Sequence, residues 1–230
     1  MKPNALTLIV MDYSGGARAE LDPQVRNTLV QLLQRQQRAM AISTMPEGQQ
    51  IVQELYDGVQ PIFHNSSRYG DYFLNLGYKA SGEAAIRSLM QNSKELFAKD
   101  AIKNKELSKE WENFQTVKSL NDVTTLILFS DNAKRARQWV EQVAHPSGKP
   151  LLVGVTAEAA PELAPYRESK DIKVMLTGLR GAADYEYWLN NPLGTSPATA
   201  SGMLDAISYV SLLLVGVMVA GYLAGFVAPG

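Results

Sequence analysis

Residues 5–13, ALTLIVMDY, form a continuous apolar run that ends on an aspartate and a tyrosine. A run without alternating polar residues is typical of a strand that is buried on both faces of a parallel sheet. Residues 21–37, LDPQVRNTLVQLLQRQQ, follow it with apolar side chains at helical spacing. We predict that Asp22 caps this helix and that Pro23 is its first residue. The two segments predict the first unit of an α/β fold.

The alternation of strand-like and helix-like segments continues to about residue 190. Further apolar segments that we predict as strands are 39–44, 71–78, 123–130, 149–156 and 171–178. Strands that alternate with helices predict a mostly parallel sheet covered on both faces, and right-handed crossovers make it doubly wound and Rossmann-like. Residues 100–122 are rich in Lys and Glu, and we predict that they form a solvated helical excursion.

The composition excludes several classes of function. The chain has 230 residues and a net charge of −1, with 22 basic and 23 acidic residues, so nothing favours a nucleic-acid partner. It has no Cys, which excludes disulfides, iron–sulfur ligands and thiol nucleophiles, and its two His exclude a His-rich metal site. The G-x-S-x-G and phosphate-loop motifs are absent. We therefore predict no catalytic residues, no metal site and no cofactor.

The last part of the chain is apolar. Residues 207–227 have the length that a helix needs to cross a bilayer, and residues 206–230 carry no charge. We predict a soluble domain over 1–190, a flexible linker rich in Pro, Gly, Ser and Thr over 191–204, and a transmembrane helix over 205–230.

This arrangement predicts a single-pass, tail-anchored protein of the cell membrane with a cytoplasmic domain. The positive-inside rule does not decide the orientation, because neither flank of the span carries Lys or Arg close to it. An exported form with the domain on the other side stays open.

Small residues form a stripe along the predicted span. They are Gly216, Ala220, Gly221, Ala224 and Gly225. Small residues let another helix approach closely, which predicts a membrane-protein partner or a homo-oligomer. The alternative is that Gly and Ala are simply frequent in such helices.

The loops that follow the predicted strands are where ligands bind in this kind of fold. The candidate ligand-binding residues in these loops are Asp12, Ser14, Gly15, Gly16, Lys79, Ser81 and Arg180. Backbone N–H groups and cations at these places could meet a nucleotide-like or anionic ligand, and Arg18, Lys79 and Arg180 could converge on it. The alternative is that these residues are turn formers, helix caps and solvated charges. Asp12, Asp131 and Glu158 also follow strands, where paired acids could bind a metal or act as a base.

Three stretches resemble a group of bacterial membrane-anchored proteins. They are LGYKASGEAAIRSL (76–89), LLVGVTAEAAPELAPY (151–166) and GLRGAADYEYWL (178–189). The resemblance implies a Rossmann-like domain with one or more membrane spans, and it implies no activity and no site residues.

Two functions follow as hypotheses. The first is a non-catalytic, membrane-anchored accessory or scaffolding protein whose span packs on partner helices and whose domain docks proteins or a small ligand. The second is an enzyme or sensor that binds a nucleotide-like or acidic metabolite at the carboxyl ends of the strands.

Overall fold

Six parallel strands form one sheet in the order β3–β2–β1–β4–β5–β6 in a computed structural model of the chain. The strands are β1 (Leu6–Asp12), β2 (Arg38–Ser43), β3 (Phe73–Tyr78), β4 (Thr125–Ser130), β5 (Leu151–Val155) and β6 (Ile172–Thr177). The structure describes residues 5–66, 68–79, 86, 97–193 and 199–227. This order, with helices on both faces of the sheet, confirms the predicted doubly wound, Rossmann-like α/β fold.

Helices in the described residues connect successive strands and cover both faces of the sheet, and two further helices follow the last strand. They are α1 (Arg18–Gln34), α2 (Gly48–Val59), α3 (Leu107–Glu110), α4 (Ala133–Trp139), α5 (His145–Ser147), α6 (Ala160–Glu168) and, after the last strand, α7 (Gly178–Leu193) and α8 (Thr199–Val227). A turn of π-helix, Val140–Ala144, joins α4 to α5.

Strand β1 contributes to the apolar cores on both faces of the sheet. Leu8 and Val10 belong to the core under α4 and α6, whereas Ile9 and Met11 belong to the core under α1 and α2. All four side chains are buried. The central strand is therefore apolar on both faces along residues 8–11, which explains the missing alternation in its sequence.

Helix α1 begins one turn earlier than the sequence predicts. It starts at Arg18, directly after a 3-10 turn at Gly15–Ala17, so Asp22 is not its N-cap and Pro23 lies inside it. The Asp22 carboxylate accepts a hydrogen bond from the Tyr13 hydroxyl at 2.8 Å and one from Arg18 Nε at 2.7 Å. These two side-chain contacts hold Asp22 within the helix. Capping patterns in the sequence do not reveal them.

Residues 100–122 form short helical turns rather than one helical excursion. Most of their side chains are exposed, as predicted, but buried apolar residues among them cover one face of the sheet, which was not predicted. Leu107, Trp111 and Phe114 are buried in the core on that face. The Trp111 Nε1–H donates to Asp100 Oδ2 at 3.1 Å, which fixes the ring inside the cover. Leu107, Trp111 and Phe114 have the i, i+4, i+7 spacing of one helical face, and the Lys and Glu between them conceal the burial in the sequence.

The two ends of the stretch predicted as a linker, 191–204, are helical. Helix α7 continues to Leu193 and α8 begins at Thr199, while residues 194–198 lie outside the described part of the chain. Ala200 is fully buried in a small cluster with Ala182 and Ala183 of α7. Helix α8 is therefore packed on the domain from its first turn.

Helix α8 has 29 residues and leaves the domain as an exposed apolar rod. Its stretch Ala200–Met218 has a mean hydropathy of 1.7, and every residue from 205 to 218 is exposed. It is long and apolar enough to cross a membrane. Gly216 lies on the exposed part with open space around it. The other predicted helix-packing residues lie on α8 beyond the described side chains; they are Ala220, Gly221, Ala224 and Gly225.

Gly154 in β5 occupies a position with no room for a side chain. A methyl group there would lie 2.5 Å from Phe129 Cδ1 and closer still to Gln24 Oε1. We expect Gly154→Ala to lower the free energy of unfolding by about 1–3 kcal/mol, as overpacking does. Urea unfolding of the detergent-solubilised chain, followed by circular dichroism, measures this loss.

The matched control is Gly58→Ala. Gly58 lies in α2 with open space around it, where Ala favours the helix by about 0.5–1 kcal/mol. This variant should keep or raise the stability, and an equal loss in both variants would contradict the packing of β5.

Candidate functional site

The strand order reverses between β1 and β4, which are neighbours at the centre of the sheet. The loops after these two strands lead to opposite sides, and the crevice between them is where ligands bind in open α/β sheets. Asp12 ends β1 and Asp131 follows β4, so the fold brings both carboxylates to this switch point. The sequence suggested both residues but could not show that they meet.

Arg135 joins the two carboxylates. Its Nε lies 3.0 Å from Asp12 Oδ1, and its Nη2 forms an ion pair with Asp131 Oδ1. Asp12 is fully buried and also accepts a hydrogen bond from Thr44 Oγ1 at 2.8 Å. Its second oxygen, Oδ2, has no hydrogen-bond partner among the described residues. An unsatisfied buried oxygen of this kind is rare, and it marks a place where a protein stores strain or binds a ligand.

Two N–H groups of the loop after β1, those of Ser14 and Gly15, are used within the chain. Ser14 donates its backbone N–H and its hydroxyl to Asp131 Oδ2 at 3.0 and 2.9 Å. The Gly15 N–H donates to Glu47 Oε2 at 2.6 Å, and Gly16 is exposed in the same turn. The donors of Ser14 and Gly15, which were predicted to meet an anion, face the protein's own carboxylates.

The cations predicted to converge are spread along the sheet. Lys79 follows β3 and Arg180 follows β6, and these strands are the two edges of the sheet. With a strand spacing of about 4.8 Å, the two edges lie about 24 Å apart. Arg18 forms ion pairs with one acid of α1 and one of α2. Ser81 lies outside the described residues.

Arg180 lines a cavity of about 440 Å³ at the carboxyl end of β6, together with Ala157 and Asp184. The Ala157 N–H donates to Glu20 Oε2 at 2.8 Å. The carboxylates of Glu20 and Asp184 lie beside this cavity and offset the charge of Arg180. An anionic ligand would therefore gain little electrostatic attraction here.

Three residues at the switch point were not among the predicted site residues. They are Thr44, Glu47 and Arg135. Each follows a strand, and Arg135 comes four residues after Asp131, which is the spacing of an ion pair on a helix. The sequence does not show that these residues lie near the switch point, because the order of the strands in the sheet brings them there.

A buried carboxylate holds the first turn of α8. Glu186 of α7 is fully buried and accepts hydrogen bonds from the Ser201 N–H and the Ser201 hydroxyl, both at 2.9 Å. The Ala200 N–H donates to the same carboxylate at 3.4 Å. An acid at a helix N-terminus satisfies free N–H groups and suits the helix dipole. The membrane-span candidate is thus attached to the domain by a specific polar contact.

Within the described ranges, no group of three or more His, Cys, Asp or Glu side chains is arranged to hold a metal ion. Comparisons of the chain with family models, with curated proteins and with solved structures find no match. The function has to be inferred from the switch point and from α8.

Burial at the switch point changes the acidity of Asp12. Loss of solvation raises the pKa of Asp12 from 3.8 to about 6, against the opposing effects of Arg135 and Thr44. Because the folded state holds the proton more tightly, this group stabilises the fold at low pH and loses that contribution as the pH rises from about 4 to 6. The contribution amounts to about 3 kcal/mol.

We expect a titration of the Asp12 carboxyl carbon, followed by ¹³C NMR, to show a midpoint near pH 6. We also expect the difference in the free energy of unfolding between the wild type and Asp12→Asn to change between pH 4 and pH 6. A midpoint near 4, or a difference that does not depend on pH, would show that Asp12 is solvated.

Proposed function

We propose that this chain is a non-catalytic accessory or scaffolding protein of the cell membrane. Helix α8 crosses the bilayer once, its membrane part packs on partner helices, and the α/β domain on the cytoplasmic side docks partner proteins or a small ligand. The observation that carries this proposal is the exposed apolar rod of α8, which begins in a fixed contact with the domain.

The exposed part of α8 is poorly suited to water. Leu212, Leu213 and Leu214 are 74%, 66% and 56% exposed, and most of the exposed side chains around them are apolar as well. Exposed apolar area costs about 25 cal/mol per Å², so a run of this length strongly favours a lipid environment. Covering it with lipid needs no change in the domain.

The first turn of α8 is attached rigidly to the domain, and we call this attachment, made by Glu186, Ala200 and Ser201, the mount. Glu186 binds the first N–H groups of α8, and Ala200 packs on Ala182 and Ala183. Leu179 and Leu204 pack against the same cluster. A domain held in this way presents one constant surface to a neighbour in the membrane, which suits an accessory subunit.

The small-residue stripe supports a partner within the bilayer. In a helix, Gly216, Ala220 and Ala224 lie within about 80° of one another. Gly221 and Gly225 lie about 140° and 180° from Gly216, so the small residues together occupy about half of the helix circumference. Without side chains in the way, a second helix can approach the backbone closely. The partner is a second copy of this chain or another membrane protein.

The second candidate function is ligand binding at the switch point by an enzyme or sensor. The unpartnered Oδ2 of buried Asp12 favours it. A nucleotide-like or acidic ligand would have to take over Arg135, which now pairs with Asp12 and Asp131. We rank this function second because the cations and N–H groups of the loop are occupied.

The role of the small residues in helix association can be tested by replacing two of them with large residues. We expect the double variant Gly221→Leu and Gly225→Leu to abolish association of α8 with its partner, because the added side chains keep the backbones apart. Crosslinking in native membranes, followed by mass spectrometry, measures the loss. The control is Val215→Leu with Val219→Leu, which enlarges the opposite side of the helix. Equal association in both variants and the wild type would remove the support for a helix partner.

Ligand-dependent melting separates the two functions. With a panel of nucleotides and organic acids, we expect no change in the melting temperature of the full chain. A ligand at 100 times its Kd would stabilise the fold by about 2.7 kcal/mol, which such a scan detects. A shift that disappears in Arg135→Lys, but persists in the control Arg137→Lys, would favour the second function.

A further inference from the structure

We infer that the carboxyl edge of the sheet, which carries the switch point, faces the bilayer and lies against the lipid headgroups. Within the described residues, the edge comprises the loops that follow β1, β2, β4, β5 and β6, and the partner of this surface is the headgroup layer itself. The inference rests on the proposed membrane crossing of α8 and adds the orientation of the domain to it.

The directions of α1 and α7 are the first step. Both helices begin at the carboxyl edge, α1 after β1 and α7 directly after β6. They pack side by side: Gln24 Nε2 donates to the Gly178 carbonyl at 2.9 Å, and Asn27 Nδ2 donates to the Ala182 carbonyl at 3.2 Å. The later residue of α1 pairs with the later residue of α7, so the two helices are parallel to each other. Both therefore run away from the carboxyl edge.

Helix α8 runs the other way. Its first turn lies beside Glu186, more than two turns into α7, where Ser201 is bound. Two residues later, Met203 lines a cavity of about 400 Å³ with Arg18 and Asp22, which belong to the first two turns of α1. Helix α8 therefore returns towards the carboxyl edge, and its exposed apolar part leaves the domain on that side.

The height of the edge along α8 follows from helix geometry. Glu186 lies eight residues after Gly178, a rise of about 12 Å at 1.5 Å per residue. Helix α8 runs antiparallel to α7 from Ser201, which lies beside Glu186. At the same rise per residue it reaches the level of Gly178 near Tyr209. The charge-free part of the chain begins at Ala206, so the carboxyl edge and the start of the span lie at the same level. Tyr209 is a residue type that favours the membrane interface.

The charges on this edge give it little attraction to lipid, so the attachment of α8 to the domain has to hold the edge against the bilayer. The exposed cations Lys134 and Arg180 are accompanied by the exposed acids Glu47 and Glu158. A surface of mixed charge has little attraction for anionic lipid. The position of the edge then depends on α8, and neutral and anionic bilayers should hold the domain in the same way.

The absence of Cys makes this orientation measurable with single labels. Fluorophores are attached to Lys134→Cys and Glu158→Cys at the carboxyl edge, in the full chain reconstituted into phosphatidylcholine vesicles that contain headgroup-nitroxide lipid. Matched controls are Asn121→Cys and Arg35→Cys, which are exposed in the loop before β4 and after the end of α1, at the opposite edge. Flotation with the vesicles is measured first.

We expect flotation of all variants, loss of fluorescence at 134 and 158, and unchanged fluorescence at 121 and 35. Adding anionic lipid should leave this pattern unchanged. A flexible Gly-Ser insertion after Leu204 should restore the fluorescence at 134 and 158 while flotation persists, because it uncouples the apolar part of α8 from the contacts of Ala200, Ser201 and Leu204 with the domain.

Chains that float but lose fluorescence at 121 and 35, or equally at all four positions, overturn the orientation and leave the membrane anchor intact. Quenching that survives the Gly-Ser insertion, or that requires anionic lipid, overturns the role of the mount. A chain that does not float overturns the proposed membrane function together with this inference.

Discussion

The buried carboxylate of Glu186 determines how the two parts of this protein relate to each other. A fully buried carboxylate needs hydrogen-bond donors, and the free N–H groups at the start of a helix supply them. Ser201 and Ala200 provide these donors at the first turn of α8. The contact sets the direction of α8 along α7, and through α7 and α1 it relates the span to the sheet. The inferred orientation of the domain on the membrane and the proposed role of this contact in holding it both depend on Glu186.

The switch point has the opposite electrostatic character to the one that its loops suggest. Gly and Ser after a strand usually leave backbone N–H groups for an anion. Here Asp131 and Glu47 accept those N–H groups, and Arg135 forms ion pairs with both Asp12 and Asp131 from a helix on the other side of the crevice. In the part of the chain that the structure describes, the carboxylates at this point outnumber the one cation that pairs with them. The crevice is self-paired, which favours a structural or docking role over anion binding. Asp12 is the exception, because one of its oxygens is buried without a partner among the described residues.

Sequence patterns located most of the secondary structure and missed contacts between distant segments. The continuous run of β1 and the alternation of strands and helices predicted the α/β fold, because burial of a parallel sheet on both faces demands them. Asp22 was wrongly predicted as a helix cap, because its partners Tyr13 and Arg18 are set by the loop conformation. Residues 100–122 were predicted as a solvated helix, and this prediction missed the buried anchors among them, because charged residues separate those anchors.

The sequence by itself determined the fold class, the presence of one apolar helix long enough for a bilayer, and the lack of thiol chemistry. Each of these depends on residue type and spacing along the chain. Tertiary structure alone decided that Asp12 and Asp131 share Arg135, that Lys79 and Arg180 lie at opposite edges, and that α8 leaves from the carboxyl edge. These are consequences of strand order and helix direction, which arise from contacts between residues more than 100 positions apart, such as Gln24 with Gly178.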